Sequence, residues 1–204
     1  MKLPPKLLLL TASAVLAAGC TGTLAVGGST KSHTKSHQAG SVLKSGHLVV
    51  LSDPGQVTYS LHPASCHTRG NSPTTVLPDP SCTPGGIDPS VTQSNLSSTI
   101  CRSGYTSTVR PPVSQTSTAK RAQYMAYGIP AGTRSELDHL VSLELGGNND
   151  VANLWPEVGV IPNPKDSVEN ALHRAVCSGK AKLADAQNAI ATDWTTAEHV
   201  LGLN

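Results

Sequence analysis

Phenylalanine is absent from this chain, and Trp155 and Trp194 are its only tryptophans. A protein that grips single-stranded nucleic acid by stacking bases on rings needs more aromatic surface than this, so that class of binder is excluded. The core must be aliphatic, with the two indoles as its large anchors. Charge is also scarce: Asp, Glu, Lys and Arg make up 14% of the residues, and the formal net charge is +2. Lys2 and Lys6 belong to a segment read below as cleaved, which leaves the remainder near neutral. A general nucleic-acid coat would be more basic. The charges are unevenly placed, however. No Asp or Glu occurs between Asp88 and Glu136, whereas Arg102, Arg110, Lys120, Arg121 and Arg134 do. Taken singly, each of these is most simply a solvated surface residue.

The N-terminus carries "MKLPPK" followed by "LLLLTASAVLAA" and then Gly19-Cys20. A basic start before a short apolar run is the pattern of an export signal, too short to be a comfortable bilayer span. Small residues before a single Cys fit a lipoprotein signal, with cleavage before Cys20 and acylation of its sulfur. The alternative is an ordinary secretory signal with an incidental Cys. Either reading exports the chain, and the lipoprotein one anchors it to a bacterial membrane, facing the periplasm or the exterior.

Export changes what the cysteines mean. With Cys20 set aside, Cys66, Cys82, Cys101 and Cys177 remain. An even set in an oxidising compartment reads as two disulfides. Of the three pairings, Cys66–Cys82 with Cys101–Cys177 is preferred, because the second bridge closes a long loop around the candidate site. A four-thiolate zinc site is disfavoured, since no two of these cysteines have the usual close spacing.

Residues 21–46 are rich in Gly, Ser, Thr, Lys and His and include the tandem "TKSHTKSH". Such a segment buries too little surface to offset its chain entropy and reads as a flexible tether. His33 and His37 within it are weak metal candidates. Residues 47–204 are expected to form one α+β domain. "HLVVLSDPGQVTYSL" predicts a β-hairpin turning at Asp53-Pro54-Gly55. Residues 63–89 read as disulfide-held loop. A short helix is expected near Cys101, and "STAKRAQYMAYG" predicts another, packed by Ala122, Tyr124, Met125 and Ala126. "GTRSELDHLV" predicts a strand, followed by a Gly146-Gly147 loop and "VANLW". From about Lys165 to Cys177, Val168, Ala171, Leu172, Ala175 and Val176 recur at helical spacing, with Gly179 closing the helix. "KLADAQNAIATDW" predicts a further helix, and Thr195 with Glu198 has capping-box spacing. Strands and loops therefore come first and helices last.

"LDHLVSLELGGNNDVANLWPE" followed by "NPKDSVENALHRAVCSG" resembles the HNH, or His-Me finger, nucleases. It is most similar to small exported bacterial proteins that carry this module. The likeness is tight from Glu136 to Gly179. It implies a small ββα-metal core at about 134–179, with extra helices and the N-terminal hairpin and loop region around it. It further implies Asp138 and Asn163 as metal ligands, His139 as general base, and Asn153 as a lock on the loop through backbone groups. Many members carry His at the place of Asn163. An Asn there favours Mg2+ as the divalent metal, with Mn2+ and Zn2+ as the other candidates. The implied activity is hydrolysis of a nucleic-acid phosphodiester, DNA or RNA. Lys165, Arg134 and the helix start after Pro164 would contact phosphate.

The residues also support plainer readings. Asn163-Pro164 is a good helix start on its own. Glu169 and His173 read as a surface pair, with Asp166 nearby. Adjacent strand residues point to opposite faces, so Asp138 and His139 share a site only where the strand ends or bulges. Two other functions remain open: an inactive exported binding or envelope lipoprotein, and a cell-wall zinc peptidase using the Glu136-x-x-His139 spacing. No feature calls for an obligate protein partner.

Overall fold

The computed structural model describes residues 48–61 and 65–204. The expected export signal, the linker and Cys20 lie outside the described residues. What is described is mixed helix and strand with two small sheets, so the α+β expectation holds at that level.

β1 (Val49–Val50) pairs in parallel with β2 (Gly86–Ile87). The hairpin expected around Asp53-Pro54-Gly55 is not formed. The turn itself exists, with the Gln56 N–H donating to the Asp53 carbonyl at 3.0 Å. But the following residues do not fold back on β1; Thr58 instead bridges Asp150 in parallel. The physical reason is the Asp53 side chain. Its carboxylate accepts from the Thr58 hydroxyl at 2.9 Å and from the Asn149 backbone N–H at 3.0 Å. The turn is thereby docked onto the 148–150 loop rather than closed on itself.

α1 (Tyr105–Val109) and α2 (Val113–Ala126) follow. The short helix expected near Cys101 is a 3-10 turn at Leu96–Ser98. α2 packs on β4 with Ala119, Gln123 and Ala126 buried, whereas Met125, expected to pack, is 79% exposed. Gln123 does what an apolar residue could not. Its amide donates to the carbonyls of Val151 at 2.8 Å and Leu154 at 2.7 Å, fixing the chain where β4 begins.

β3 (Ser135–His139) and β4 (Leu154–Val158) form an antiparallel pair in which Glu136 faces Glu157, Asp138 faces Trp155 and His139 faces Leu154. Between them the chain makes a 3-10 turn at Leu143–Leu145 and passes through Gly146-Gly147. Gly146 has φ 73°, in the left-handed region that favours glycine. At Gly147 a Cβ would lie 1.8 Å from the Val141 carbonyl oxygen, so the backbone itself must pass where a side chain cannot.

α3 (Lys165–Cys177) begins and ends where its apolar period predicts, and buries Leu172, Ala175 and Val176. α4 (Leu183–Asp193) and α5 (Ala197–Val200) complete the chain. The capping box expected at Thr195 and Glu198 is not formed; the Thr195 hydroxyl donates to the Asp193 carboxylate at 2.6 Å instead. One apolar cluster gathers Val141, Leu145, Leu172, Val176, Ile190 and Trp194. A second gathers Val76, Tyr127, Leu140 and Trp155 with the Cys66–Cys82 bridge. Each indole thus anchors its own cluster, as the missing phenylalanine requires.

Both expected disulfides are present: Cys66–Cys82, 16 residues apart, and Cys101–Cys177, 76 residues apart. They are consistent with an oxidising or extracellular environment. No helix among the described residues is long and apolar enough to cross a membrane.

Candidate functional site

The loop from Leu140 to Asn153 is closed by one side chain. The Asn153 amide oxygen accepts from Val141 N at 2.9 Å and Gly86 N at 3.0 Å. Its amide nitrogen donates to the carbonyls of Val141 at 3.0 Å and Asn148 at 2.8 Å. Two acceptances and two donations use the whole capacity of an asparagine, and the residue is fully buried. Asp150 works beside it. It accepts from the Ser60 hydroxyl and the Thr58 hydroxyl, both at 2.7 Å, and from Ala152 N at 2.9 Å.

His139 ends β3 and is buried, with 9% of its surface exposed. Its Nε2 lies 3.0 Å from the Asn149 amide oxygen. The Asn149 amide nitrogen donates to the Val109 carbonyl at 3.0 Å and the Asp53 carbonyl at 3.2 Å. Carbonyls can only accept, so the amide orientation is fixed and its oxygen must face the ring. Nε2 therefore carries the proton, and the lone pair is on Nδ1. Nδ1 has no hydrogen-bond partner among the described residues. Burial pushes the ring down to about 4, against the Asn149 bond and the Asp138 charge, so it is neutral at pH 7. Behind Asn149, burial pushes the Asp53 carboxyl up to about 6.

On the other face of the strand pair stand Glu136, Asp138, Trp155 and Glu157. The Asp138 carboxylate takes the Trp155 indole N–H at 3.0 Å and the Lys165 ammonium at 2.9 Å, both on Oδ2. Lys165 is fully buried; it also donates to the His139 carbonyl at 2.8 Å and pairs with the Glu169 carboxylate. Burial disfavours its charge, but Asp138 and then Glu169 outweigh burial and hold its proton more firmly than on a free lysine. Burial also raises the carboxyls around it. Glu169 is held at about 7 even against the ammonium, and Glu157 is pushed up to about 9 by burial and then by Asp138. Both Glu157 oxygens are buried without a hydrogen-bond partner. At pH 7 Glu157 is a neutral acid.

Asp138 and His139 thus project to opposite faces, as the alternation of a regular strand requires. The same alternation separates Glu136 from His139, so the Glu-x-x-His spacing makes no zinc site and the peptidase reading loses its motif. The Asp138 and Asn163 donors do not fit a divalent ion. The Oδ2 of Asp138 is taken by Lys165 and Trp155, and a divalent ion on its Oδ1 would share the carboxylate with the Lys165 ammonium. The Asn163 amide oxygen accepts the Lys165 backbone N–H at 3.0 Å, and its amide nitrogen is buried without a partner. A Mg2+ ion takes oxygens at about 2.1 Å in an octahedron, which cannot be built around a resident ammonium. Lys165, expected to reach phosphate, points inward. Arg134 is exposed and donates to the Ile161 carbonyl at 2.9 Å. Glu169 turns to Lys165 rather than to His173, which lies 3.7 Å from Glu144.

Among the described residues, Cys101, His173 and Cys177 are the group whose ligand atoms come within 4.8 Å of one another, and it could bind a metal ion. Its sulfurs are joined in a disulfide, so thiolates are available there only after reduction.

Sequence reasoning missed Asn149, Asp53 and Gln123. Asp53 was legible only as a turn residue, because its partner Asn149 lies 96 residues away. It also gave Arg110 no particular role. Arg110 is near enough to bear on the His139 ring, and it lines a polar cavity of about 300 Å³ with Ser142, Glu144, Asp166, Glu169 and Asn170. No protein-family model matches the chain, and comparison with curated proteins and with solved structures finds no match.

Proposed function

We propose that this protein is an exported phosphodiesterase acting on nucleic acid, with His139 as general base. The observation that carries the reading is the Asn149–His139 hydrogen bond, which leaves the Nδ1 lone pair free at the end of β3. In the proposed step a water oxygen attacks phosphorus while Nδ1 takes its proton, the bond to the leaving oxygen breaks, and that oxygen takes a proton from solvent water to leave as an alcohol. Arg110 contacts the phosphate oxygens. A phosphate bound beside the ring raises its proton affinity, which brings a base held at about 4 toward its task. Asn153 keeps the loop that carries Asn149 in register. The β3–β4 pair followed by α3 supports kinship with the His-Me finger layout, as does the order Asp138-His139, Gly146-Gly147, Asn153, Asn163.

The Mg2+ expected from that layout would have to displace Lys165 from Asp138 Oδ2 or share the carboxylate with it. The membrane partner of the proposal is a lipid on Cys20. Labelling with an alkyne fatty acid in a bacterial host tests it; labelling that persists in Cys20→Ser removes the anchor from the account.

One observation favours a second reading, an exported binding protein without activity: the side chains at the motif's centre, His139 and Lys165, are both buried. Incubation with supercoiled DNA and with RNA separates the two. The phosphodiesterase cleaves at least one of them and His139→Ala, still folded, does not; the scaffold cleaves neither.

A further inference from the structure

The Lys165 ammonium has three N–H groups and three protein partners. They are the Asp138 carboxylate at 2.9 Å, the His139 carbonyl at 2.8 Å and the Glu169 carboxylate. The residue is fully buried, so water completes none of these contacts. The chain has brought a fixed positive charge to the carboxylate that the motif order would give to a metal. A divalent ion on Asp138 Oδ2 would sit at about 2.1 Å, inside the contact distance of the ammonium, and one on Oδ1 would share a single carboxylate with that ammonium, so the two cations repel in either place. The second expected ligand is also engaged, because the Asn163 oxygen uses one of its two lone pairs on the Lys165 backbone N–H at 3.0 Å. One residue therefore engages both donors, Asp138 through its side chain and Asn163 through its main chain.

We infer that the Lys165 ammonium is the resident cation of this site, that Asp138 takes no divalent metal, and that cleavage runs without one. The statement about cleavage rests on the phosphodiesterase reading; the statement about cation binding does not. Lys165 is a positioning residue rather than a catalytic one. All its donors are engaged within the protein, and through the His139 carbonyl it fixes the backbone that aims the imidazole. It also neutralises carboxylates that would otherwise repel a phosphate.

The test uses the disulfide-intact chain, titrated with Mn2+ by calorimetry and by the loss of free-ion paramagnetic resonance. Cleavage of plasmid DNA and RNA is measured in parallel in EDTA and in Mg2+. The wild type is expected to take up no Mn2+ with Kd below about 100 μM. Its cleavage rate is expected to agree within about twofold between EDTA and Mg2+. Lys165→Ala opens the space, so Mn2+ is expected to bind it and to raise its melting temperature, an effect lost in Lys165→Ala with Asp138→Asn. Stoichiometric Mn2+ binding by the wild type that Asp138→Asn abolishes overturns the inference. So does a cleavage rate that falls more than about tenfold in EDTA, or a folded Lys165→Ala that gains no Mn2+ affinity. Should Lys165→Ala not fold, the two wild-type arms decide. A wild type that neither binds Mn2+ nor cleaves retains its resident cation and loses only the phosphodiesterase reading.

Discussion

The His139 ring nitrogen Nε2 lies 3.0 Å from the amide oxygen of Asn149, a residue whose other atoms are tied to Asp53 and Val109. That contact sets which nitrogen of His139 is basic. The Nε2–H tautomer should therefore dominate at pH 7, and long-range proton–nitrogen correlation of the imidazole reads it directly. Asn149→Asp places a carboxylate against the ring and should lift its pKa from about 4 toward the ordinary histidine range. A wild-type spectrum showing Nδ1–H contradicts the assigned base.

The same ring should govern acid stability. In the fold His139 resists protonation down to about 4, whereas in the unfolded chain it protonates near 6.5. Between these values the unfolded state binds more protons, so stability falls as pH drops from about 6.5 through 4, by up to about 3 kcal/mol. Asp53 acts in the opposite sense. Its folded value near 6 lies above the usual 3.8, so its contribution is full at low pH and is lost as pH rises through 6. His139→Gln should flatten the acid limb of a melting-temperature profile, and Asp53→Asn should steepen it. Two unchanged profiles would show that neither group is perturbed.

Glu157 predicts an alkaline counterpart. Its carboxyl stays protonated in the fold until about pH 9, against 4.5 when free, so its contribution to stability declines between those values. Glu157→Gln keeps the neutral shape and removes that dependence. At pH 8 it should melt about 5 °C higher than the wild type, with little difference at pH 4. A lower melting temperature at pH 8 would mean that the charged carboxylate has a partner in the folded protein.

The bridges should differ in weight. By loop-closure entropy, loops of 16 and 76 residues correspond to about 3 and about 4.5 kcal/mol. Cys101→Ser with Cys177→Ser should therefore lower the urea midpoint more than Cys66→Ser with Cys82→Ser. The reverse order would place the strain of folding elsewhere.

The parts of this fold that sequence made legible are those set by local pattern. Leu172, Ala175 and Val176 repeat at helical spacing, and α3 has the expected ends. Four cysteines paired as anticipated. Asn153 locks its loop because an asparagine after a Gly-Gly turn meets backbone groups already close to it. What could not be read was set by distant partners. The Asp53 turn looked like a hairpin because its carboxylate's partner, Asn149, is remote in the chain. Lys165 looked like an exposed phosphate contact because nothing local shows that Asp138 and Glu169 enclose it. The separation of Asp138 from His139 was foreseeable from strand alternation, yet whether β3 bulges depended on its register with β4.

The most direct test of the account is strand scission by the purified wild type and by His139→Ala, with circular dichroism showing both folded. The account predicts cleavage of DNA or RNA by the wild type and a loss of about a hundredfold or more in the variant. Equal cleavage by the two proteins, or none by the wild type on either substrate, contradicts it.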